Sequence, residues 1–182
     1  MQKEIILKDG DKITVRPVRV TDAEALMVLF RKTFEQNHQF FTMTAQEATE
    51  KVKTVEDHVK WLENALEKQW LVLLAFYNDR IVGWGTIKLA EKSRQQHIGV
   101  VALVLLEEYT SRGIGSVLMD MMIDWSRNNE ALEKLSLCVI SNNQRAYNMY
   151  KKYGFIEEGR RVREFKHGPD EYYDEIGMYM IV

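Results

Sequence analysis

The chain is poor in the residues that build staples, metal cages and hinges: one cysteine, two prolines and four histidines in 182 residues. The single cysteine, Cys138, excludes an internal disulfide and a cysteine-based zinc site, a usage that fits a reducing, cytoplasmic compartment. His38, His58, His97 and His167 are scattered without metal-ligand spacing, so no metal is expected. Pro17 and Pro169 stand alone and no Gly/Ser-rich tract or repeat occurs, which leaves no linker to divide the chain. Charge of one sign is lacking as well. Lys plus Arg number 25 and Asp plus Glu 27, a net charge of −2 that gives nucleic acid no electrostatic footprint. The longest unbroken apolar run, Trp70 to Tyr77, falls far short of the ~20 residues of a membrane helix. The opening MQKEIILKDGDK has no apolar stretch of the signal-peptide kind.

What is present reads as an ordinary globular protein, 46% hydrophobic and 29% charged. Against about 150 residues per domain, the length argues for one domain over residues 1–182. Such a chain buries a substantial core without disulfides or metals.

Local patterns then place the elements. ITVRPVR (13–19) alternates apolar and polar residues, a half-buried strand. Thr21-Asp22-Ala23-Glu24 has the form of a capping box, and Ala25, Leu26, Leu29 and Phe34 supply the apolar face of the helix behind it. Gln36 to Thr44 reads as a loop that spends two adjacent aromatics, Phe40 and Phe41. Thr44-Ala45-Gln46-Glu47 and Thr54-Val55-Glu56-Asp57 read as further helix starts, the second followed by Val55, Val59, Leu62 and Leu66 at helical spacing. Trp70 to Tyr77 and Ile81 to Leu89 flank Asn78-Asp79-Arg80 as a hairpin. His97 to Leu106 is apolar on both faces, hence a central strand of a covered sheet. Ile114, Leu118, Met121 and Trp125 share a helix face, and Met119, Met121 and Met122 read as core packing. Lys134 to Ile140 is a strand, and Asn143 to Tyr153 a helix stopped by Gly154. Phe155 to Phe165 and Glu171 to Ile181 form a closing hairpin. Strands and helices alternate through the middle, so the sheet is mixed and helix-covered.

The segment richest in chemistry joins the central strand to the next helix through Glu107-Glu108-Tyr109-Thr110-Ser111-Arg112-Gly113-Ile114-Gly115-Ser116. Two glycines let the backbone approach a ligand and turn its N–H groups outward, and the helix N-terminus adds partial positive charge. The turn therefore suits a phosphate, with Arg112 able to add a charge-assisted contact. A G-x-G of this kind also occurs as a plain connection.

Taken in order, VLLEEYTSRGIGSVL (104–118), LSLCV (135–139) and NQRAYNMYKKYGF (143–155), preceded by ITVRPVRVTDAEAL (13–26), resemble the Gcn5-related N-acetyltransferase (GNAT) family over nearly the whole chain. The resemblance implies an α/β (α+β) fold: a mixed central sheet of about seven strands flanked by helices and splayed between the fourth and fifth strands. Those two are His97–Leu106 and Lys134–Ile140 here. It further implies acetyl-CoA as cosubstrate. The pantetheine would run along the backbone of Leu103, Val104 and Leu105, and the pyrophosphate would lie on the N–H groups of Arg112, Gly113, Ile114, Gly115 and Ser116. Asn143 would line the cleft, and Tyr150 would face the thioester sulfur as acid. The region after the first helix, with Phe40 and Phe41, would wall the acceptor pocket, although the pair could equally anchor the loop to the core.

Two positions depart from the family pattern. Thr110 stands where Arg or Gln is usual, and Val100 where many members carry a glutamate base. A water chain ending on Glu35, His97, Glu107 or Glu175 would be a substitute for that base, as would an acceptor of lower amine pKa. The neutral fraction of an alkylammonium near 10.4 costs about 4 kcal/mol at pH 7, that of an α-amino group near 8 about 1 kcal/mol. Cys138, in an apolar strand, reads as a small hydrophobe rather than a nucleophile. The acidic run Asp170-Glu171 and Asp174-Glu175 could draw a cationic amine or merely face solvent.

The expected function is N-acetylation of a primary amine (a small molecule, an amino acid or a peptide N-terminus) by direct attack on the thioester, without nucleic acid, membrane or metal. The family is compatible with a homodimer. The alternative is a catalytically weakened acyl-CoA-binding protein, motivated by Val100. A dinucleotide site is disfavoured, since Leu118 occupies the third glycine position of G-x-G-x-x-G and Glu133 precedes its strand.

Overall fold

The computed structural model describes residues 1–7, 10–44, 46–47, 50 and 54–182. One eight-stranded sheet organises them, in the order β1-β2-β3-β4-β5-β6-β8-β7. Its strands are β1 (Lys3–Ile6), β2 (Lys12–Pro17), β3 (Leu71–Tyr77), β4 (Arg80–Leu89), β5 (Ile98–Leu105), β6 (Lys134–Ile140), β7 (Ile156–Gly168) and β8 (Glu171–Ile181). Four helices of the described residues pack on it: α1 (Ala23–Asn37), α2 (Val55–Glu67), α3 (Ile114–Arg127) and α4 (Gln144–Lys152). Neighbouring strands run antiparallel except β5 and β6, the single parallel pair.

Strand β3 shows how the two layers arise. Leu71, Leu73 and Ala75 point to one face and join Ile114, Leu118, Met119 and Met122 of α3 in the larger core. Val72 and Leu74 point to the other and meet Leu26 and Leu29 of α1 and Leu62 and Ala65 of α2. A strand covered on both faces reads as a continuous apolar run, as this one does. The β3–β4 hairpin closes on Asn78 and Asp79, both with positive φ (46° and 60°), the geometry of a two-residue turn that follows strand twist.

Several expectations hold at this level. The sheet parts between the strands expected to splay, the methionine cluster of α3 is core, and Thr54 caps α2 with Asp57 in reciprocal hydrogen bonds of 3.2 and 3.0 Å. Others need correction. An extra strand, β1, pairs along β2; its residues are mostly exposed, so burial imposed no readable alternation. Thr21 does not cap α1. The residue at the cap is Asp22, whose carboxylate instead takes two 2.8 Å hydrogen bonds from Arg16 and one of 2.7 Å from the Arg19 N–H. Burial alone would raise the Asp22 carboxyl pKa, but these donors outweigh it and hold the group below its ordinary range. The stretch read as a loop from Gln36 is helical to Asn37, and a short 3-10 turn follows over His38–Phe40. Leu66, placed on the apolar face of α2, is exposed. At Thr44-Ala45-Gln46-Glu47 the Thr44 and Glu47 side chains exchange bonds with each other's backbone N–H at 3.2 and 2.7 Å. Ala45 itself lies outside the described residues, as do 48, 49 and 51–53.

Candidate active site

The site begins where the sheet stops being continuous. β5 is bonded to β4 along its whole length, from Gly99↔Leu89 to Leu105↔Gly83. Toward β6 it is paired only at Ile98↔Lys134, Gly99↔Leu135 and Val100↔Ser136. Beyond Val100 the two parallel strands part, which leaves one edge of Val101 to Leu105 without a strand partner. Backbone N–H and C=O groups on such an edge are ready to pair with an extended ligand. Gly83 fixes the opposite side of β5: a Cβ there would stand 2.8 Å from the Val104 carbonyl oxygen and closer still to the Leu105 side chain.

At the C-terminal end of β5 the chain turns through Glu107–Tyr109 and Thr110 into α3. Ser111 (φ 58°) and Gly113 (φ 95°) are both left-handed, and a Cβ on Gly113 would meet nothing within 4 Å. Glycine is there for its backbone angle, and the space beside it is open. The leading N–H groups of α3, with the helix dipole behind them, border that space. Across the gap, α4 begins at Asn143, whose side-chain oxygen caps it by accepting the Ala146 N–H at 3.2 Å.

The result is a cleft of about 280 Å³. Leu103, Val104 and Leu105 form one wall, Thr110, Ser111, Gly113, Gly115 and Ser116 the turn, and Asn143, Arg145, Ala146, Met149 and Tyr150 the facing wall. Asn37, Phe40 and Phe41 also line the cleft. Of the site residues expected from sequence, Leu103, Val104, Leu105, Gly113, Gly115, Ser116, Asn143 and Tyr150 thus meet at one cleft. Tyr150 is 6% exposed, and burial pushes its hydroxyl up to about 12. Phe41 lines the cleft and also stacks on Phe34 at 4.1 Å between ring centroids.

Two expected residues do not present side chains to the cleft. Ile114 is 0% exposed and belongs to the core, leaving only its backbone for a ligand. Arg112 turns the other way: it ion-pairs with Asp11 and lies 5.6 Å from the ring centroids of both Tyr77 and Tyr109. The guanidinium at the turn belongs instead to Arg145 of α4. Its Nη1 donates to Thr110 Oγ1 at 2.9 Å, and both its terminal nitrogens reach Glu107 at 3.3 Å. Thr110, where Arg or Gln is usual in the family pattern, is thus hydrogen-bonded by an arginine from across the gap. No spacing within 143–155 pointed to it, because its placement depends on how α4 folds against the turn.

The four groups considered as substitutes for a base lie elsewhere. Glu35 is exposed, His97 is partly buried at the foot of β5, Glu107 holds Arg145, and Glu175 ion-pairs with Arg161. Burial would raise the Glu175 carboxyl, and the hydrogen bonds from Arg161 and Cys138 lower it overall. None of the four is among the described residues that line the cleft. Val100 is 44% exposed on the face of β5 that carries Ala102 and Val104. The acidic run of the last hairpin is engaged there: Asp174 accepts the Arg163 N–H at 2.9 Å, and Tyr173 donates to Glu171. Cys138 is exposed on β6, away from the cleft, its thiol pushed up to about 12 by partial burial and by Glu175.

A mixed sheet parted at its parallel seam among the described strands, with a glycine at the N-cap of the helix beside the opening, is the arrangement that the family resemblance implied. The sequence model of the acetyltransferase (GNAT) family matches residues 25–155, and the chain belongs to that family. It is similar to the L-amino acid N-acetyltransferase AaaT of Escherichia coli, 31% identical over 57% of this chain and 64% of AaaT, so it spans just under two-thirds of that relative. An N-alpha-acetyltransferase of Sulfurisphaera tokodaii is 25% identical over 91% of this chain and 93% of its own length. Among solved structures, a GNAT-family acetyltransferase of Streptococcus pneumoniae superposes with a TM-score of 0.83 at 26% identity, covering 93% of this chain and 99% of the other.

Proposed function

We propose that the protein is an acetyl-CoA-dependent N-acetyltransferase that acylates a primary amine by direct attack. The observation that carries this reading is the joint placement of an unpaired β5 edge, an open turn at Gly113 and a buried tyrosine around one cleft. The donor set fits such a cosubstrate: an extended amide-bearing chain for the strand edge, and a diphosphate for the N–H groups of residues 112–116 beside Arg145. When bound, the cosubstrate supplies an activated acetyl group.

The chain's own residues then have three tasks. Backbone N–H groups at the free edge near Val104 orient the acyl oxygen and stabilise charge developing on it, about 3 kcal/mol per well-placed donor. Tyr150 faces the sulfur. With its hydroxyl at about 12 and a thiol near 8.5, complete proton transfer is uphill by ~5 kcal/mol. Its role is that of a strong hydrogen-bond donor, protonated throughout the working range. Asn143 spends its oxygen on the α4 cap, which leaves its amide N–H groups for a ligand.

Deprotonation of the acceptor is the third task. The cleft-lining residues include no carboxylate or imidazole among those described, which favours acceptors with low amine pKa, such as α-amino groups of amino acids or peptide N-termini. The same observation supports the second reading, a GNAT-fold acyl-CoA-binding protein with weakened catalysis. Thiol release from acetyl-CoA across a panel of amines, amino acids and peptides decides between them. Turnover with one class of acceptor is the expected result, and tight coenzyme A binding without release on any acceptor supports the binding protein instead.

A further inference from the structure

One polar side chain lining the cleft is buried with its oxygen unspent. Asn37, the last residue of α1, is 6% exposed, lines the cleft, and keeps its Oδ1 buried without a hydrogen-bond partner. A buried polar atom left unmade is costly, and most such atoms in native proteins find a partner. Around it stand Phe40 and Phe41, the latter held by its stack on Phe34. Arg145, the one cation among the described lining residues, is at the turn, tied to Thr110 and Glu107.

Building on the acetyltransferase reading, we propose that the Asn37 carboxamide binds the acceptor nitrogen, and that the lining it shares with Phe40 and Phe41 selects a monoamine carried on an uncharged, apolar frame.

The choice of carboxamide has a chemical logic. A carboxylate would hold the acceptor as ammonium and raise its pKa, opposing the loss of the proton that must precede attack. An amide oxygen accepts an N–H from the nitrogen in either protonation state and imposes no such shift. The aromatic pair offers contact to an aliphatic or aromatic substituent. A second ammonium, as in a polyamine or a lysine side chain, would be desolvated against those rings with no counter-charge among the described lining residues. Specificity would therefore rest on what is absent as much as on what is present.

The test compares phenylalaninamide with lysinamide, two acceptors alike at the α-amine and opposite in side-chain charge, using the wild type, Asn37→Leu and Asn37→Asp. Expected are a kcat/KM at least tenfold higher for phenylalaninamide and, in Asn37→Leu, a KM for it raised about tenfold with the KM for acetyl-CoA unchanged. Asn37→Asp, nearly isosteric and the variant that decides if Asn37→Leu does not fold, should move the pH–rate profile to higher pH. A merely structural asparagine would not produce that shift. Equal use of both amides, or an acceptor KM and pH profile indifferent to residue 37, overturns the inference while leaving the acetyltransferase intact. Absence of thiol release with every acceptor, coenzyme A being bound, overturns both.

Discussion

The two seams of β5 have opposite fates. On its β4 side the strand is bonded from Gly99 to Leu105, and Gly83 is bare so that β4 and β5 can close completely. On its β6 side pairing ends at Val100, and the far ends of both strands diverge. The first seam is structural: its groups satisfy one another and leave nothing for a ligand. The second has spent only three residue pairs, and the rest of its edge, with α3 and α4 on either side, faces the cleft. One strand is thus closed on one side and presents a free edge to the cleft on the other.

That contrast predicts where substitutions should be felt. The largest effect belongs to the open seam. Tyr150→Phe should lower turnover about a hundredfold, the usual scale for losing one donor to charge that develops in the transition state, with coenzyme A affinity unchanged. Steady-state kinetics beside a binding titration will show it, and an unchanged rate removes Tyr150 from the chemistry. At the closed seam, Gly83→Ala should act on stability first, costing about 2 kcal/mol as the new methyl group displaces Leu105 and strains the Val104 carbonyl. Denaturant unfolding measures this. If stability is untouched, the seam is less tightly closed than its geometry says.

Smaller effects sharpen the difference between the two arginines. Arg145→Ala should weaken coenzyme A binding about fivefold, more at low salt than at high, since its guanidinium lies at the turn. Arg112→Ala should leave that affinity nearly unchanged and cost roughly 1 kcal/mol of stability through the lost Asp11 pair and ring contacts. The smallest effect is acid-dependent. Asp22 has a lowered pKa, so it stabilises the fold above the ordinary carboxyl range, and that contribution is lost as pH falls through its depressed value. Asp22→Asn should flatten the acid limb of a stability-against-pH curve, and an unaltered limb would contradict the assignment.

Much of this architecture could be read from sequence because it is local. Alternation or continuous apolarity announced β2 to β5, Asn78-Asp79 announced the hairpin, and the run from Thr110 to Ser116 announced the turn that opens the cleft. The backbone part of the candidate site was read from that turn. What escaped depended on partners far along the chain. Arg112 looked like the phosphate ligand by adjacency, but its direction is set by Asp11 and by the rings of Tyr77 and Tyr109. Arg145 takes the place by folding α4 against the turn, which no spacing in its own segment encodes. Asn37 gave no signal at all. Its meaning is its burial at the cleft with an oxygen unused, and burial of a single polar residue at a helix end leaves no periodic trace. β1 was missed for the reverse reason, as an exposed edge strand with no buried face to pattern it.

A crystal structure with coenzyme A bound tests the central claim most directly. The account predicts the diphosphate within hydrogen-bond distance of the N–H groups between residues 112 and 116, and the pantetheine amides bonded to the free edge of β5 near Leu103 to Leu105. A ligand seated elsewhere, with the ends of β5 and β6 drawn together, would contradict it.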